Sequence, residues 1–190
     1  NKFTYEEDLR VGKSDLKLFL TVLRKPTGPK ITGHITAGEL QIDNMTLLKV
    51  DEDSGQGETN KRSRVIPNYT IPVGMLLAVD LDLDIQAERI RSGSKDLGGL
   101  VSKVWLKDGL FKSSTKIINF MVARIYGEYD INTAVKPPLI RIQLTAQDID
   151  YGISLRSMEV TDFLEGSADL YVDLSGSGVT RHNFLRNAAG

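Results

Sequence analysis

Between Val79 and Glu88 the chain alternates without a fault. Val79, Leu81, Leu83, Ile85 and Ala87 fall in one register, and Asp80, Asp82, Asp84, Gln86 and Glu88 in the other. A two-residue repeat places all the apolar side chains on one face of a β-strand and all the acids on the opposite face. A second strand-like run follows and closes on Asp108-Gly109, a dipeptide that tolerates the positive φ of a tight hairpin turn. The chain is therefore building a sheet with one apolar face and one solvated face, and what the apolar face covers is the functional question.

The same period recurs along the sequence. Leu16, Leu18 and Leu20 alternate with Asp15, Lys17 and Phe19. Ile31, Gly33, Ile35 and Ala37 form another row, which resumes at Leu40 and Ile42 with its phase changed across Gly38, the signature of a bulge. Further rows are Val104 and Leu106, then Met121 to Ile131, then Ile140, Ile142, Leu144 and Ala146, and lastly Ala168, Leu170, Val172 and Leu174. Turn residues bound each of them, which predicts an all-β fold built on an antiparallel sheet paired mostly in sequence order. One helix is expected to start near Thr180, with Phe184, Leu185 and Ala188 on one side. Ile153 to Leu164 fits neither period. Residues 51–64 are polar and glycine-bearing and read as a mobile loop within a single segment spanning residues 1–190. Glu39 to Val50 resembles Leu100 to Ser113, a weak internal repeat of strand, Asp-containing turn and strand, which favours an elongated repetitive sheet over a closed barrel.

Chemistry has little to work with. The net charge is −1, so nothing argues for nucleic acid, and there are no cysteines for disulfides, thiolate metal sites or nucleophiles. Lys61, Arg62 and Arg64 follow a run of acids and read as a solvated loop. No apolar run approaches the roughly 18 residues of a membrane span, and no signal peptide is visible. Because the chain begins with Asn1 and ends on Ala188-Ala189-Gly190, it reads as a segment of a longer protein.

His34 and His182 lie far apart with no acid and nucleophile beside them, so both are expected at the surface. The acids Asp80, Asp82 and Asp84 project side by side about 7 Å apart, too far to share a small ion unaided, and read as a solvated strand face. Asp51, Asp53 and Glu58 lack the rest of a calcium loop. Asn44 and Asn68 begin glycosylation-type triplets, which short sequences meet by chance. No catalytic residue, cofactor or metal site is expected, and the chain is not read as an enzyme. The apolar face either packs as an ordinary core or lines a groove for an apolar ligand.

Residues 76–110 resemble the repeated block of the AsmA-like family: a leucine-rich start, an alternating strand ending in Gln-Ala-Glu-Arg-Ile, a Gly/Ser turn, then Leu-Lys-Asp-Gly-Leu. Tyr126-Gly127-Glu128-Tyr129, Pro137 to Ala146, and Phe163 to Leu170 followed by Asp173 to Gly178 continue the likeness. It covers roughly residues 72–190, carried by the order of weakly specific motifs. The resemblance implies a Gram-negative envelope protein, held to the inner membrane by an N-terminal helix with its body in the periplasm. It also implies a strongly twisted, curved sheet of repeated strand pairs whose apolar floor carries phospholipid toward the outer membrane, in support of outer-membrane assembly. The expected floor is Val79, Leu81, Leu83, Ile85, Val104, Leu106, Ile140, Ile142, Leu144, Leu170, Val172 and Leu174. Expected partners are phospholipid or another acyl lipid, with envelope proteins besides. The rival is a structural or protein-interaction scaffold whose apolar face is covered by its own chain or a partner.

Overall fold

A computed structural model describes residues 1–41, 70–120, 123–150, 152–153 and 165–190. They form ten strands and two short helices: β1 Lys2–Val11, β2 Ser14–Lys25, β3 Gly28–Gln41, α1 Val73–Ala78, β4 Asp80–Ser92, β5 Lys95–Asp96, β6 Gly99–Lys107, β7 Leu110–Phe120, β8 Ala123–Asn132, β9 Leu139–Asp150, β10 Ser167–Ser177 and α2 Arg181–Asn187. All ten strands belong to one open sheet, ordered β1-β2-β3-β4-β6-β7-β8-β9-β10, with the two-residue β5 hydrogen-bonded to the end of β4. The sheet does not close on itself, since β1 and β10 lie at opposite edges.

Tight turns explain most of this order. Lys107 faces Leu110 across a two-residue turn in which Asp108 and Gly109 have φ of 52° and 76°, the left-handed pair that matches the twist of the flanking strands. Val11 and Ser14 likewise face each other across Gly12-Lys13, and Lys25 faces Gly28 across Pro26-Thr27.

Sequential antiparallel pairing fails at one place. β3 and β4 run parallel, with Lys30 beside Asp80 and Ala37 beside Ala87. Parallel neighbours cannot be joined by a tight turn, and residues 42–79 make the connection. The bulge expected at Gly38 is absent from this pair, because Ala37 faces Ala87 and Glu39 faces Arg89 at an unchanged offset. The phase change is nevertheless real and is shared by both strands. Ala37 and Leu40, with Ala87 and Ile90, pack into one cluster under Leu97 and Leu100.

α2 begins where the sequence places it. Thr180 is the N-cap, and its hydroxyl accepts a hydrogen bond from the Asn183 N–H at 3.2 Å. Phe184 is buried and Ala188 packs beside it, whereas Leu185, expected on the same side, is 49% exposed. α1 was not expected. Its buried Leu76 joins Leu106, Ile131, Ile140 and Phe184 in the larger core cluster, so the two helices cap one end of the sheet. The loop expected at 51–64, the calcium and glycosylation readings, and most of the ambiguous stretch 153–164 fall outside the described residues.

Candidate functional site

The strand registers line up the apolar residues across the sheet. One line runs Val22, Ile31, Leu81, Leu106, Phe111, Ile131 and Ile140. The next runs Tyr5, Leu20, Gly33, Leu83, Val104, Ser113, Tyr129, Ile142 and Leu174. A third joins Leu18, Ile35, Ile85, Ser102, Thr115, Gly127, Leu144 and Val172, and a fourth Leu9, Leu16, Ala37, Ala87, Leu100, Ile117, Ile125, Ala146 and Leu170. Residues directly opposite in a ladder point to the same face, so eleven of the expected floor residues share one surface. Val79 is the exception: it ends α1 in an extended conformation and packs against the helix-capped core.

The floor differs in depth. Leu106 and Ile140 are 1% and 5% exposed beneath α1 and α2, so they belong to a closed core and are not open to a ligand. Leu81, Leu83, Ile85, Val104, Ile142, Leu144, Val172 and Leu174 are half-buried, and Leu170 at the β10 edge is 46% exposed. The same half-burial extends over Leu18, Leu20, Val22, Ile31 and Ile35 on β2 and β3. Sequence reasoning left out the β1–β3 residues and all of β7 and β8, including Phe111, Ile117, Ile125, Tyr129 and Ile131. The alternation of β2, β3 and β8 was visible, but only the register assigns these strands, with β1 and β7, to this face.

The face is not uniformly apolar. Near its middle Ser102, Ser113, Thr115 and Gly127 stand in one stretch of the register in place of large apolar side chains. Ser102 is buried there, its Oγ 2.8 Å from Thr115 Oγ1, which lies 3.4 Å from Ser113 Oγ. The mutual hydrogen bonds satisfy these hydroxyls without water. Opposite Ser113, burial raises the pKa of the Tyr129 phenol, whose ring meets Phe111 edge-on at 6.0 Å.

The opposite face carries charge. Lys25 Nζ lies 3.0 Å from Asp80 and Lys103 Nζ 3.8 Å from Asp84. Arg141 binds both carboxylate oxygens of Asp173 at 3.2 and 2.8 Å, and the hydrogen bond from Arg141 holds Asp173 below the usual carboxylate range. His34 is stacked on Phe19 at 5.0 Å in this register, and His182 is exposed on α2. Three open depressions of about 690, 570 and 510 Å³ are lined mainly by side chains of the polar register. No group of three metal-ligating side chains occurs among the described residues. The polar face thus has hollows lined by charge, and the apolar face offers area without an enclosed cavity.

No protein-family model, curated protein or solved structure matches this chain. The arrangement defines an open β-sheet protein with one end plugged by helices and one face half-exposed and apolar.

Proposed function

We propose that this chain is a lipid-carrying segment of a cell-envelope protein, in which acyl chains lie on the open apolar face and headgroups remain in water. One observation carries the reading: the apolar register crosses nine hydrogen-bonded strands, and between the helix-capped end and the Ala37–Ala87–Ile90 cluster its large apolar side chains stay half-exposed. An apolar surface of that extent is rare on a protein without a partner for it. Each acyl methylene moved from water onto such a surface gains about 0.8 kcal/mol when fully buried. A surface of many similar small contacts favours sliding over capture in one pose. Binding and movement of this kind involve no covalent chemistry. The resemblance to AsmA-like proteins supports phospholipid as the cargo and the periplasm as the place, with an inner-membrane anchor elsewhere in a longer protein.

The test is native mass spectrometry of the chain purified from bacterial membranes in mild detergent, followed by lipid extraction. Near-stoichiometric phospholipid is expected, and the Leu83→Asp/Ile142→Asp double variant should lose it while keeping its β-sheet circular dichroism. Retention of lipid at wild-type level by that variant would overturn the assignment of this face. A lipid-free wild-type protein would instead favour the scaffold reading. For that reading, the outer edge of β1, which has no strand partner among the described residues, is the natural docking edge.

A further inference from the structure

The helix-capped end of the sheet carries a second surface, which the groove reading does not use. Four segments meet there. The Ile71 N–H donates to the Val179 carbonyl at 2.8 Å, the Gly178 N–H to Pro138 at 3.0 Å and the Thr133 N–H to Gly109 at 2.9 Å. Leu77 sits over Gly109, where a Cβ would come within 2.7 Å of its Cδ2. The β2–β3 turn joins them through Lys25 and Asp80.

What these segments expose is apolar. Residues 72–79, Pro-Val-Gly-Met-Leu-Leu-Ala-Val, contain no polar side chain, and a helix apolar on every side is ordinarily buried. α1 nevertheless lies on the surface, with only Leu76 tucked inward, Met75 60% exposed and Leu77 52% exposed. Val135 and Val179 on the neighbouring loops and Leu139 at the start of β9 are exposed as well.

What surrounds them is basic. Arg24, Lys25 and Lys30 flank the β2–β3 turn, Lys107 and Lys136 the loops, and Arg181 and Arg186 lie on α2; Asp80 and Asp108 are the acids of these segments. Seven cations against two acids give this end +5, whereas the remaining described residues carry −4. Lys107, Lys136, Arg181 and Arg186 are exposed, and none of the four is held in an ion pair among the described residues.

We infer that this end docks on an anionic phospholipid bilayer. Protruding apolar side chains would enter the boundary between headgroups and acyl chains, and the basic rim would meet the lipid phosphates. Apolar insertion together with cationic attraction is what reversible attachment to a membrane surface requires. Charge complementarity selects this occupant: an apolar patch ringed by cations on an otherwise acidic molecule turns one end toward a negative surface and the remainder away from it. The inference does not depend on lipid occupying the apolar face.

Flotation with vesicles of phosphatidylglycerol and phosphatidylethanolamine tests it, with phosphatidylcholine vesicles for comparison. The chain should float with the anionic vesicles, less at high salt, and weakly or not at all with phosphatidylcholine. The Met75→Asp/Val179→Asp and Lys136→Glu/Arg181→Glu variants should each bind about tenfold more weakly. Tyr171→Asp, at a 66% exposed site on β10, should bind as wild type, and circular dichroism should match for all four proteins. Failure of the wild type to float, or undiminished binding by both double variants, would overturn the docking end. Lipid extraction on the same Met75→Asp/Val179→Asp protein separates the two readings: loss of flotation with copurified lipid retained leaves the face and the end as distinct sites.

Discussion

Gly176 of β10 lies against Ala188, the residue that closes α2: a Cβ built on Gly176 would come within 3.0 Å of the Ala188 Cα and 3.2 Å of its nitrogen. The missing side chain is what allows the end of the helix to rest on the sheet. Gly176→Val should lift α2, loosen Phe184 and open Leu106 and Ile140 to water. Overpacking of this sort costs about 1–3 kcal/mol. The expected result is a lower urea midpoint together with increased binding of an apolar fluorescent dye.

Depth on the apolar face predicts a graded response. Leu106→Ala removes a side chain that is 1% exposed and should cost about 2–5 kcal/mol, the range for cavities in a closed core. Leu83→Ala, on the same face of the sheet but half-buried, removes less packing and should cost about 1 kcal/mol or less. Urea denaturation of the two variants measures both. Equal losses would mean that Leu83 is as enclosed as Leu106.

These two leucines also show how far the sequence could be read. Alternation assigns both to one face because the side-chain period of a strand is local. It cannot say that α1 closes over one and not the other, since that depends on contacts between segments far apart in the chain. The sheet, the Asp108-Gly109 turn and the Thr180 cap were legible for the same local reason. β1 was hidden because Glu7 interrupts its apolar row, and β7 because Ser113 and Thr115 occupy its inward positions. The parallel pairing of β3 with β4 has no local signal at all: each strand alternates in the same way whichever direction its neighbour runs.

Gly109 combines two constraints. Its φ of 76° is costly for a side chain, and a Cβ there would meet Leu77 Cδ2 at 2.7 Å and Thr133 Oγ1 at 2.5 Å. Gly109→Val should therefore cost roughly 2–5 kcal/mol, the left-handed backbone and the overpacking together. Gly93→Val provides the comparison. That residue also has positive φ, at 59°, but open space around the Cβ position, so only the backbone penalty should appear in its melting temperature.

The Arg141–Asp173 pair gives a dependence on pH with a fixed sign. Hydrogen bonding from Arg141 lowers the Asp173 pKa in the folded chain, so the pair stabilises the fold at pH above the ordinary aspartate range. That contribution is lost as pH falls through the lowered value. The difference in melting temperature between wild type and Arg141→Ala should hold steady from neutral to mildly acidic solution, then shrink to nothing at strongly acidic pH. Because the pair is on the surface, the difference should be small and should fall with added salt.

The parallel seam between β3 and β4 has no turn to set its alignment, whereas a hairpin inherits its alignment from the loop that closes it. Slipping the seam by one residue would turn a whole half of the sheet over, apolar side outward. Slipping it by two would preserve the faces and escape any penalty from hydrophobicity alone. Two ion pairs oppose that second error: Lys25 with Asp80 at one end of the seam, at 3.0 Å, and Glu39 with Arg91 at the other, at 3.8 Å. A slip of two that carries Asp80 from beside Lys30 to beside Thr32 separates both pairs. Against a slip in that direction the β1–β3 and β4–β10 meanders are keyed together like the wards of a lock, by charge where geometry offers no stop.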